Sequence, residues 1–333
     1  MSALGASGVP ARGLKPASGA PLSRSLQNRV ASGDEERVRR KRAESTERTA
    51  SLAQAGRRRA EPAPLRASDY LAFQRYLGQT CGIVLGPGKE SLIESRLMHL
   101  MREHGLASLH DVVRALETAA NARLRAAVIT TMTTPETSWF VDPAHFRVLG
   151  GEILPALPGG RARIWSAGCG TGQEPYSISM AVQDYLRSAP DRFPGGVEIV
   201  ATDIAHSVLD EARRGLYCGS GTGRGLSEDQ RQRFFAPAPG DCLSVRQEIR
   251  QRVVFREFNL TRGLDVLGHF DVIFCRNVLA YFATPLRHEV LARLVRSLKS
   301  GGYLFLGSAE DPAGLDDAFE VLSADGAGYY RKR

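Results

Sequence analysis

Hydrophobic and polar positions follow two different patterns along the chain, and the change falls near residue 160. Beyond it, short apolar runs alternate with longer amphipathic stretches, which is typical of strands and helices that build a parallel sheet covered on both faces. The predicted strands are 162–166, 198–202, 253–255, 271–275 and 303–307, and the segments 319–322 and 328–331 are expected to close the sheet as a hairpin. The pattern predicts an α/β domain.

The segment 67–134 has a helical pattern. Apolar positions recur at helical spacing before Gly105 ends one such stretch, and they are Leu92, Ile93, Leu97, Leu100 and Met101. Lys89, Arg96 and His99 lie on the opposite face of the predicted helix. That basic face is either solvated or a docking surface for an acidic partner.

Helix and loop signals complete the second half. Thr284 is the predicted N-cap of a helix with Pro285 at its first position, and Gly301 and Gly302 are expected beyond its end. The connection at about 217–252 is too long for a simple crossover and predicts a small inserted subdomain. From Arg213 to Arg256 the chain has nine arginines and four acids, so the insert is basic and suits an acidic partner.

Charge is distributed unevenly over the 333 residues, whose formal net charge is +8. Residues 1–66 contain 14 Lys and Arg against 6 Asp and Glu, so the remaining 30 basic and 30 acidic residues leave 67–333 neutral. The first 66 residues also lack Phe, Trp and Tyr, a composition that cannot bury enough apolar surface to fold. We expect a disordered basic tail, either a solvated leader or a contact for an anionic surface.

Cysteine usage and hydropathy suggest a compartment. The five cysteines include no C-x-x-C pair and are odd in number, which argues against a disulfide framework or a zinc site. No run approaches the roughly 18 apolar residues of a membrane span, and the N-terminal segment lacks the apolar core of a secretory signal. These features predict a cytoplasmic protein that does not enter the membrane.

A glycine-rich turn follows the first predicted strand in WSAGCGTGQEPYS. Gly168, Gly170 and Gly172 allow a sharp turn and close approach of a ligand to the backbone. A dinucleotide site would have glycine three positions after Gly170, where this chain has Gln173, so a nucleoside without a pyrophosphate fits better. Asp203 ends the second strand, where nucleotide-binding sheets place a carboxylate for ribose hydroxyls.

These motifs together resemble S-adenosylmethionine (SAM)-dependent methyltransferases with a Rossmann-like sheet. From about residue 70 to 331 the chain resembles, more narrowly, the CheR-type chemotaxis receptor glutamate methyltransferases. The segments that carry the resemblance are FQRYLGQTCGIVLGPGKESLIESRL, TTPETSWF, WSAGCGTGQEPYSISM, ATDIAHSVLDEARRGLY, VVFREFNL, FDVIFCRNVLAYF and GGYLFLGSAED. GQEPYS and FCRNVLAYF in this order and spacing are the most specific of them.

The resemblance implies a fold, a cofactor and a reaction. It implies an N-terminal helical domain at 67–134 and a SAM-binding domain at 135–333 with a small β insert, and it implies methyl transfer to receptor glutamates with S-adenosylhomocysteine (SAH) as product. By position, the expected cofactor contacts are Thr137, Ser138, Gly168, Gly170, Glu174, Asp203, Asn277 and Val278. Arg276 and Tyr281 are the candidate catalytic residues, and neither a metal nor an enzyme nucleophile is expected.

The motif at the junction of the two predicted domains, TTPETSWFV at 133–141, is called the junction motif below, and it departs from the family pattern at two positions. The usual T-T-N-x-T-x-F-F-R has Pro135 in place of its asparagine and Val141 in place of its arginine, which puts turnover in doubt. Arg147 or an arginine of the insert is the proposed substitute. A SAM- or SAH-binding regulatory module with little turnover is therefore the alternative function.

The expected partners are the acidic cytoplasmic helices of chemoreceptors, with Lys89, Arg96 and the insert as docking elements. Some members of the family grip a receptor C-terminal peptide through a glycine-rich loop of the insert. Here the matching stretch FFAPAPGDC contains only Gly240, so peptide-independent recognition is expected. A nucleic-acid methyltransferase, suggested only by the basic tail, would need an N-P-P-Y-type motif after the fourth strand, where the chain has Cys275–Val278.

Overall fold

Four helices form the first part of the structure. The computed structural model describes residues 66–86, 88–118, 121–133, 137–219, 221–310, 312 and 316–333, so the predicted tail lies outside the described residues except for Arg66. The helices are α1 Ala67–Cys81, α2 Glu90–Glu103, α3 Leu109–Glu117 and α4 Ala122–Thr133. α2 buries Ile93, Leu97 and Leu100 against the other three, whereas Leu92, predicted on the same face, is 37% exposed.

The part of the chain that the structure describes continues with ten strands in two sheets. They are β1 Ala162–Ala167, β2 Val197–Asp203, β3 Leu216–Tyr217, β4 Phe235–Ala238, β5 Cys242–Val245, β6 Val253–Glu257, β7 Phe270–Cys275, β8 Leu298–Leu306, β9 Phe319–Ala324 and β10 Ala327–Lys332. The large sheet has the order β6-β2-β1-β7-β8-β10-β9, parallel except for the pairs formed by β10. The predicted α/β class with a helical N-terminal domain and a small β insert is confirmed.

Helices cover both faces of the large sheet. The helices that pack on it are α5 Pro143–Val148, which continues through a π turn at Leu149–Ile153, α6 Gln173–Ser188, α7 His206–Arg214 and α10 Thr284–Ser297. Of the two remaining helices, α8 Glu228–Phe234 packs on β4 of the smaller sheet and α9 Gln247–Arg250 packs on α6. Neighbouring strand residues face opposite layers: Ile164 packs with Phe274 in one core, and Trp165 packs with Ile273 in the other. The central strands β1, β2 and β7 are buried on both sides, as a parallel sheet covered by helices requires, whereas the edge strand β6 is largely exposed.

The boundaries of α10 differ from their prediction. Thr284 is the first helical residue rather than the N-cap, which is Ala283, and Thr284 makes no capping hydrogen bond. At the other end the chain passes directly into β8 at Leu298. Gly301 and Gly302 therefore belong to this strand, and Gly302 lies close to the carbonyl of Asp271 on β7.

The insert contains a three-stranded antiparallel sheet in the order β3-β5-β4. A disulfide joins Cys218 and Cys242, so the expectation that the cysteines stay unpaired was wrong. Its cause is the strand register: Tyr217 pairs with Leu243, and one step further along this antiparallel pair Cys218 comes opposite Cys242. Within the described residues, no helix is both long and apolar enough to span a membrane.

A buried side-chain hydrogen bond joins β1 to β2 beneath the carboxyl edge of the sheet. The indole Nε1 of Trp165 donates to Oγ1 of Thr202 at 3.0 Å, and both side chains are fully buried. Trp165 also packs against Phe270 of the strand on the other side. This bond holds the backbone of β2 in place immediately before Asp203.

We expect Thr202→Val to lower the free energy of unfolding by about 1–3 kcal/mol, because the indole N–H then loses its acceptor without access to water. Urea denaturation of Thr202→Val, Trp165→Phe and the double variant measures the coupling between the two side chains. An equal cost of Thr202→Val in both backgrounds would contradict the assignment. Thr202→Ser is the control, because it loses the methyl group but keeps the acceptor oxygen and should therefore keep the coupling to Trp165.

Candidate functional site

A cavity opens at the carboxyl ends of the central strands, where open α/β sheets bind ligands. It contains about 1080 Å³ of space, part of it open to solvent. The structure brings together around it all eight predicted cofactor contacts and both candidate catalytic residues, which are Thr137, Ser138, Gly168, Gly170, Glu174, Asp203, Asn277, Val278, Arg276 and Tyr281. Lys89 and Arg96 lie elsewhere, on the helical domain.

The glycine turn after β1 forms the floor of the cavity. Gly168, Gly170 and Gly172 all have positive φ, at 77°, 53° and 97°. A Cβ on Gly168 would lie 2.3 Å from a methyl carbon of Val278, so the turn and the loop after β7 touch at this point. Only glycine combines this backbone conformation with such close contact.

Asp203 is held in place by backbone donors. Its Oδ2 accepts a hydrogen bond from the Gly170 N–H, and its Oδ1 accepts one from the Ala205 N–H, both at 2.9 Å. Burial raises the pKa of Asp203, and these backbone hydrogen bonds oppose the rise. Each carboxylate oxygen keeps a second lone pair, which can accept a ligand hydroxyl.

Arg276 joins three walls of the cavity. Its Nη1 donates to Oε2 of Glu174 at 3.2 Å, its Nη2 donates to Oδ2 of Asp142, and its side chain is only 2% exposed. Ser166 on β1 donates to the other oxygen of Glu174 at 2.7 Å. Burial raises the pKa of Glu174, and the positive charge of Arg276 opposes that rise.

The turn after β7 is held by Glu310, a residue to which the sequence alone assigns no role. Asn277 has φ 59°, and its N–H donates to Oε2 of Glu310 at 2.8 Å. The same carboxylate accepts from the N–H groups of Gly307 and Ala280. Glu310 stands in the quoted segment GGYLFLGSAED, but nothing in that segment alone shows that its carboxylate binds three backbone donors.

The described part of the junction motif lines the cavity with Thr133, Thr137, Ser138 and Val141. Residues 134–136, and with them the predicted departure at Pro135, lie outside the described residues. Phe140 and Asp142 have positive φ, which is unfavourable for side chains with a Cβ and is held here by surrounding contacts. The Phe140 N–H donates to Ser177 Oγ, and Val141 lines the cavity.

The proposed substitutes for the missing arginine are not at the cavity. Arg147 forms an ion pair with Asp325 and does not line it. The insert arginines do not line it either; Arg233, for example, is paired with Asp184. Within the described lining, Arg276 is the one arginine, so the structure gives no support to either suggested replacement, and the suggestion stays a prediction.

Several cavity residues were missed. Cys81 and Ile83 come from the end of α1 and the segment after it, and Phe258, Asn259 and Leu260 follow β6. Asn259 donates from its amide to the Thr80 carbonyl at 2.9 Å and accepts from Thr261. Phe258, Asn259 and Leu260 directly follow the third predicted strand, in VVFREFNL. That position at the carboxyl end of a parallel strand is the signal from which they could have been predicted to lie at the same sheet edge.

The predicted docking residues have different surroundings. Lys89 is exposed and immediately precedes α2. Arg96 is half-buried and donates to the Met132 carbonyl at 3.1 Å, near the end of α4. Part of the guanidinium is therefore used within the helical domain.

His145 is buried beside Arg276 at the start of α5. Its Nδ1 has no hydrogen-bond partner among the described residues, and its ring lies 5.0 Å from that of Phe305. Burial and the nearby positive charge of Arg276 lower the pKa of His145 to about 4. The imidazole is therefore neutral in the folded protein at neutral pH.

The comparisons identify a family over most of the chain. A family model described as "CheR methyltransferase, all-alpha domain" matches residues 68–133, and one described as "CheR methyltransferase, SAM binding domain" matches residues 135–327. The second alone spans more than half of the chain.

Curated relatives agree with this match. Chemotaxis protein methyltransferase Cher2 of Pseudomonas putida is 42% identical over 258 residues, covering 76% of this chain and 94% of the relative. Chemotaxis protein methyltransferase 1 of Pseudomonas aeruginosa is 43% identical over 271 residues, covering 80% and 98%. The chemotaxis protein methyltransferase of Escherichia coli is 35% identical over 261 residues, covering 77% and 89%.

We expect Gly168→Ala to weaken SAH binding by about tenfold or more, because the added methyl strains the turn and collides with Val278. Isothermal titration calorimetry measures the loss. Gly196→Ala is the matched control: its φ is 79°, but nothing lies within 4 Å of the added Cβ. Equal effects of the two substitutions, or full affinity of Gly168→Ala, would show that the contact with Val278 is unimportant.

We expect acid to destabilise the protein through His145. The folded pKa lies below the usual 6.5, so the unfolded chain binds the proton more tightly, and the stabilising effect is lost as pH falls from about 6.5 to about 4. At pH 5 this amounts to about 2 kcal/mol relative to pH 8. Urea titrations of wild type and His145→Gln at both pH values test it, and identical pH dependence of the two proteins would contradict it.

Proposed function

Because the chain belongs to the CheR methyltransferase family, we propose that it transfers a methyl group from SAM to glutamate side-chain carboxylates of chemoreceptors. The products are a glutamate methyl ester and SAH, and the reaction would serve sensory adaptation in chemotaxis. The observation that supports the proposal most directly is the convergence of the eight expected cofactor contacts and of Arg276 and Tyr281 on one cavity.

The cavity suits SAM, the cofactor of this family's SAM-binding domain. Among the described residues, those with charges that line it are Glu174, Asp203 and Arg276, a formal sum of −1 that favours a cationic sulfonium. Asp203 offers free lone pairs for ribose hydroxyls, and the positive-φ glycines let the backbone approach the ligand. Thr137, Ser138, Asn277 and Val278 complete the proposed binding set.

The reaction needs little from the protein beyond placement. When bound, SAM supplies an electrophilic methyl group. A glutamate side chain has a pKa near 4.3, so an acceptor at neutral pH is already ionised and the chain needs no general base. We propose that Arg276 acts by holding Glu174 and Asp142 in position, and that Tyr281, 36% exposed at the cavity, contacts the acceptor. Positioning and electrostatics would then supply most of the rate.

Recognition of the receptor is proposed to occur outside the cavity. Lys89, Arg96 and the basic insert are the proposed docking elements for acidic receptor helices, without a C-terminal peptide tether. We propose a cytoplasmic location on the strength of family membership, since the Cys218–Cys242 disulfide removes the argument from cysteine usage. We retain the division into a tail at 1–66, a helical domain at 67–134 and a SAM-binding domain at 135–333 with its insert at 217–252.

A SAM- or SAH-binding regulatory module is the second candidate, and the position of Val141 favours it. Val141 lines the cavity in place of the family's arginine, and its aliphatic side chain offers no charge there. The one arginine of the described lining is already engaged with Asp142 and Glu174. Under this second proposal, the cavity would bind SAM or SAH without methyl transfer.

We expect the wild-type protein to transfer labelled methyl from SAM to membranes that contain chemoreceptors. The product should release methanol in alkali, because carboxyl esters hydrolyse and N-methyl groups do not. Asp203→Asn should weaken SAH binding and reduce transfer in the same measure, since the ribose contact is lost.

Calorimetry with SAH beside the transfer assay separates the two candidates. Binding without transfer to any receptor would favour the regulatory module, and restored transfer in Val141→Arg would show that the missing arginine is the cause. Alkali-stable label would contradict ester formation.

A further inference from the structure

Tyr217, the last residue of β3, connects the insert to the glycine turn. Its hydroxyl donates to the carbonyl of Thr171 at 2.7 Å, and Thr171 directly follows Gly170 of the cavity floor. Burial raises the pKa of Tyr217 well above its ordinary value, so the hydroxyl keeps its proton for this bond. The insert thereby supports the backbone that carries the Gly170 N–H to Asp203.

The insert also holds the junction motif, through Trp139. The indole Nε1 of Trp139 donates to the Thr222 carbonyl at 2.7 Å, and its backbone N–H donates to the Arg224 carbonyl at 3.2 Å. A Cβ on Gly225 would lie 2.0 Å from the Trp139 carbonyl oxygen, so the loop after β3 packs directly on this backbone. Thr137 and Ser138, which line the cavity, immediately precede Trp139.

The two supports meet each other. The rings of Tyr217 and Trp139 pack edge to face with centroids 4.9 Å apart, and Phe235 of β4 packs on the other side of Trp139 at the same distance. Trp139 is 2% exposed. One aromatic cluster of the insert thus touches both the glycine turn and the junction motif, on two walls of the same cavity.

We propose that Tyr217 is a positioning residue of the cofactor cavity, and that through Tyr217 and Trp139 the inserted subdomain is energetically coupled to cofactor binding. Coupling between two sites is reciprocal. A ligand that orders the cavity walls therefore also stabilises the insert, and any partner that binds and orders the insert raises cofactor affinity. The inference rests on cofactor binding and does not depend on which carboxylate accepts the methyl group.

The first test is SAH affinity by calorimetry. Tyr217→Phe keeps the ring contact with Trp139 and loses only the hydroxyl, and we expect it to weaken SAH binding by about tenfold. Tyr176→Phe is the matched control. The hydroxyl of Tyr176 also donates to a backbone carbonyl at 2.7 Å, that of Ala212, and neither Tyr176 nor Tyr217 lines the cavity. It should bind SAH within about twofold of wild type.

The second test is amide hydrogen exchange with and without saturating SAH. If Tyr217 only stabilised the fold, its substitution would not change the protection that SAH gives to the insert. In wild type we expect SAH to slow exchange at Trp139 and across 216–226. In Tyr217→Phe the protection should persist in the glycine turn and decrease in the insert, where the Trp139 hydrogen bonds remain.

Three results would overturn the proposal: unchanged SAH affinity in Tyr217→Phe, an equal loss in Tyr176→Phe, or full protection of the insert in Tyr217→Phe. If Tyr217→Phe fails to fold, Trp139→Phe decides instead. It loses the indole donor to Thr222 and should show the same weaker binding and loss of insert protection. Failure of methyl transfer with normal SAH binding would count against the proposed reaction and leave this coupling intact.

Discussion

The buried guanidinium of Arg276 is the interaction on which the cavity depends. A charge with a 2% exposed side chain is stable only when it is paired, and removal of one partner from such a pair costs about 3–5 kcal/mol. Its partners, Asp142 and Glu174, belong to the junction and the first turn of α6. The end of β7, the junction and α6 are consequently fixed by one side chain, and the proposed cofactor contacts on each segment keep their places relative to the others.

The sequence predicted those parts of the fold that depend on local patterns. Alternating apolar runs located the parallel strands, and the glycines, Asp203 and the residues after β7 were assigned to one edge because parallel strands end together. The predicted bounds of α10 were wrong, because Thr284 and Gly301 carry signals that several neighbouring positions can satisfy. The roles of the site residues remain proposals.

Contacts between segments distant in sequence were not predictable in the same way. The pairing of Cys218 with Cys242 follows from an antiparallel register that no spacing rule gives. Glu310 accepts hydrogen bonds from two N–H groups of a turn about thirty residues earlier, those of Asn277 and Ala280, and Arg147 forms an ion pair with Asp325. Composition and periodicity describe single segments, whereas these interactions depend on how segments pack.

The cavity crosses the boundary between the two matched parts of the chain. Cys81 and Ile83 lie in the all-alpha part, yet they line the same space as Asp203, and the Val84 N–H donates to the Tyr281 carbonyl across that boundary. Asn259 makes a further connection to the end of α1. The two parts are matched separately in sequence, but residues of both line one cavity. To move this cavity into another methyltransferase, one would therefore have to transfer the helices together with the sheet.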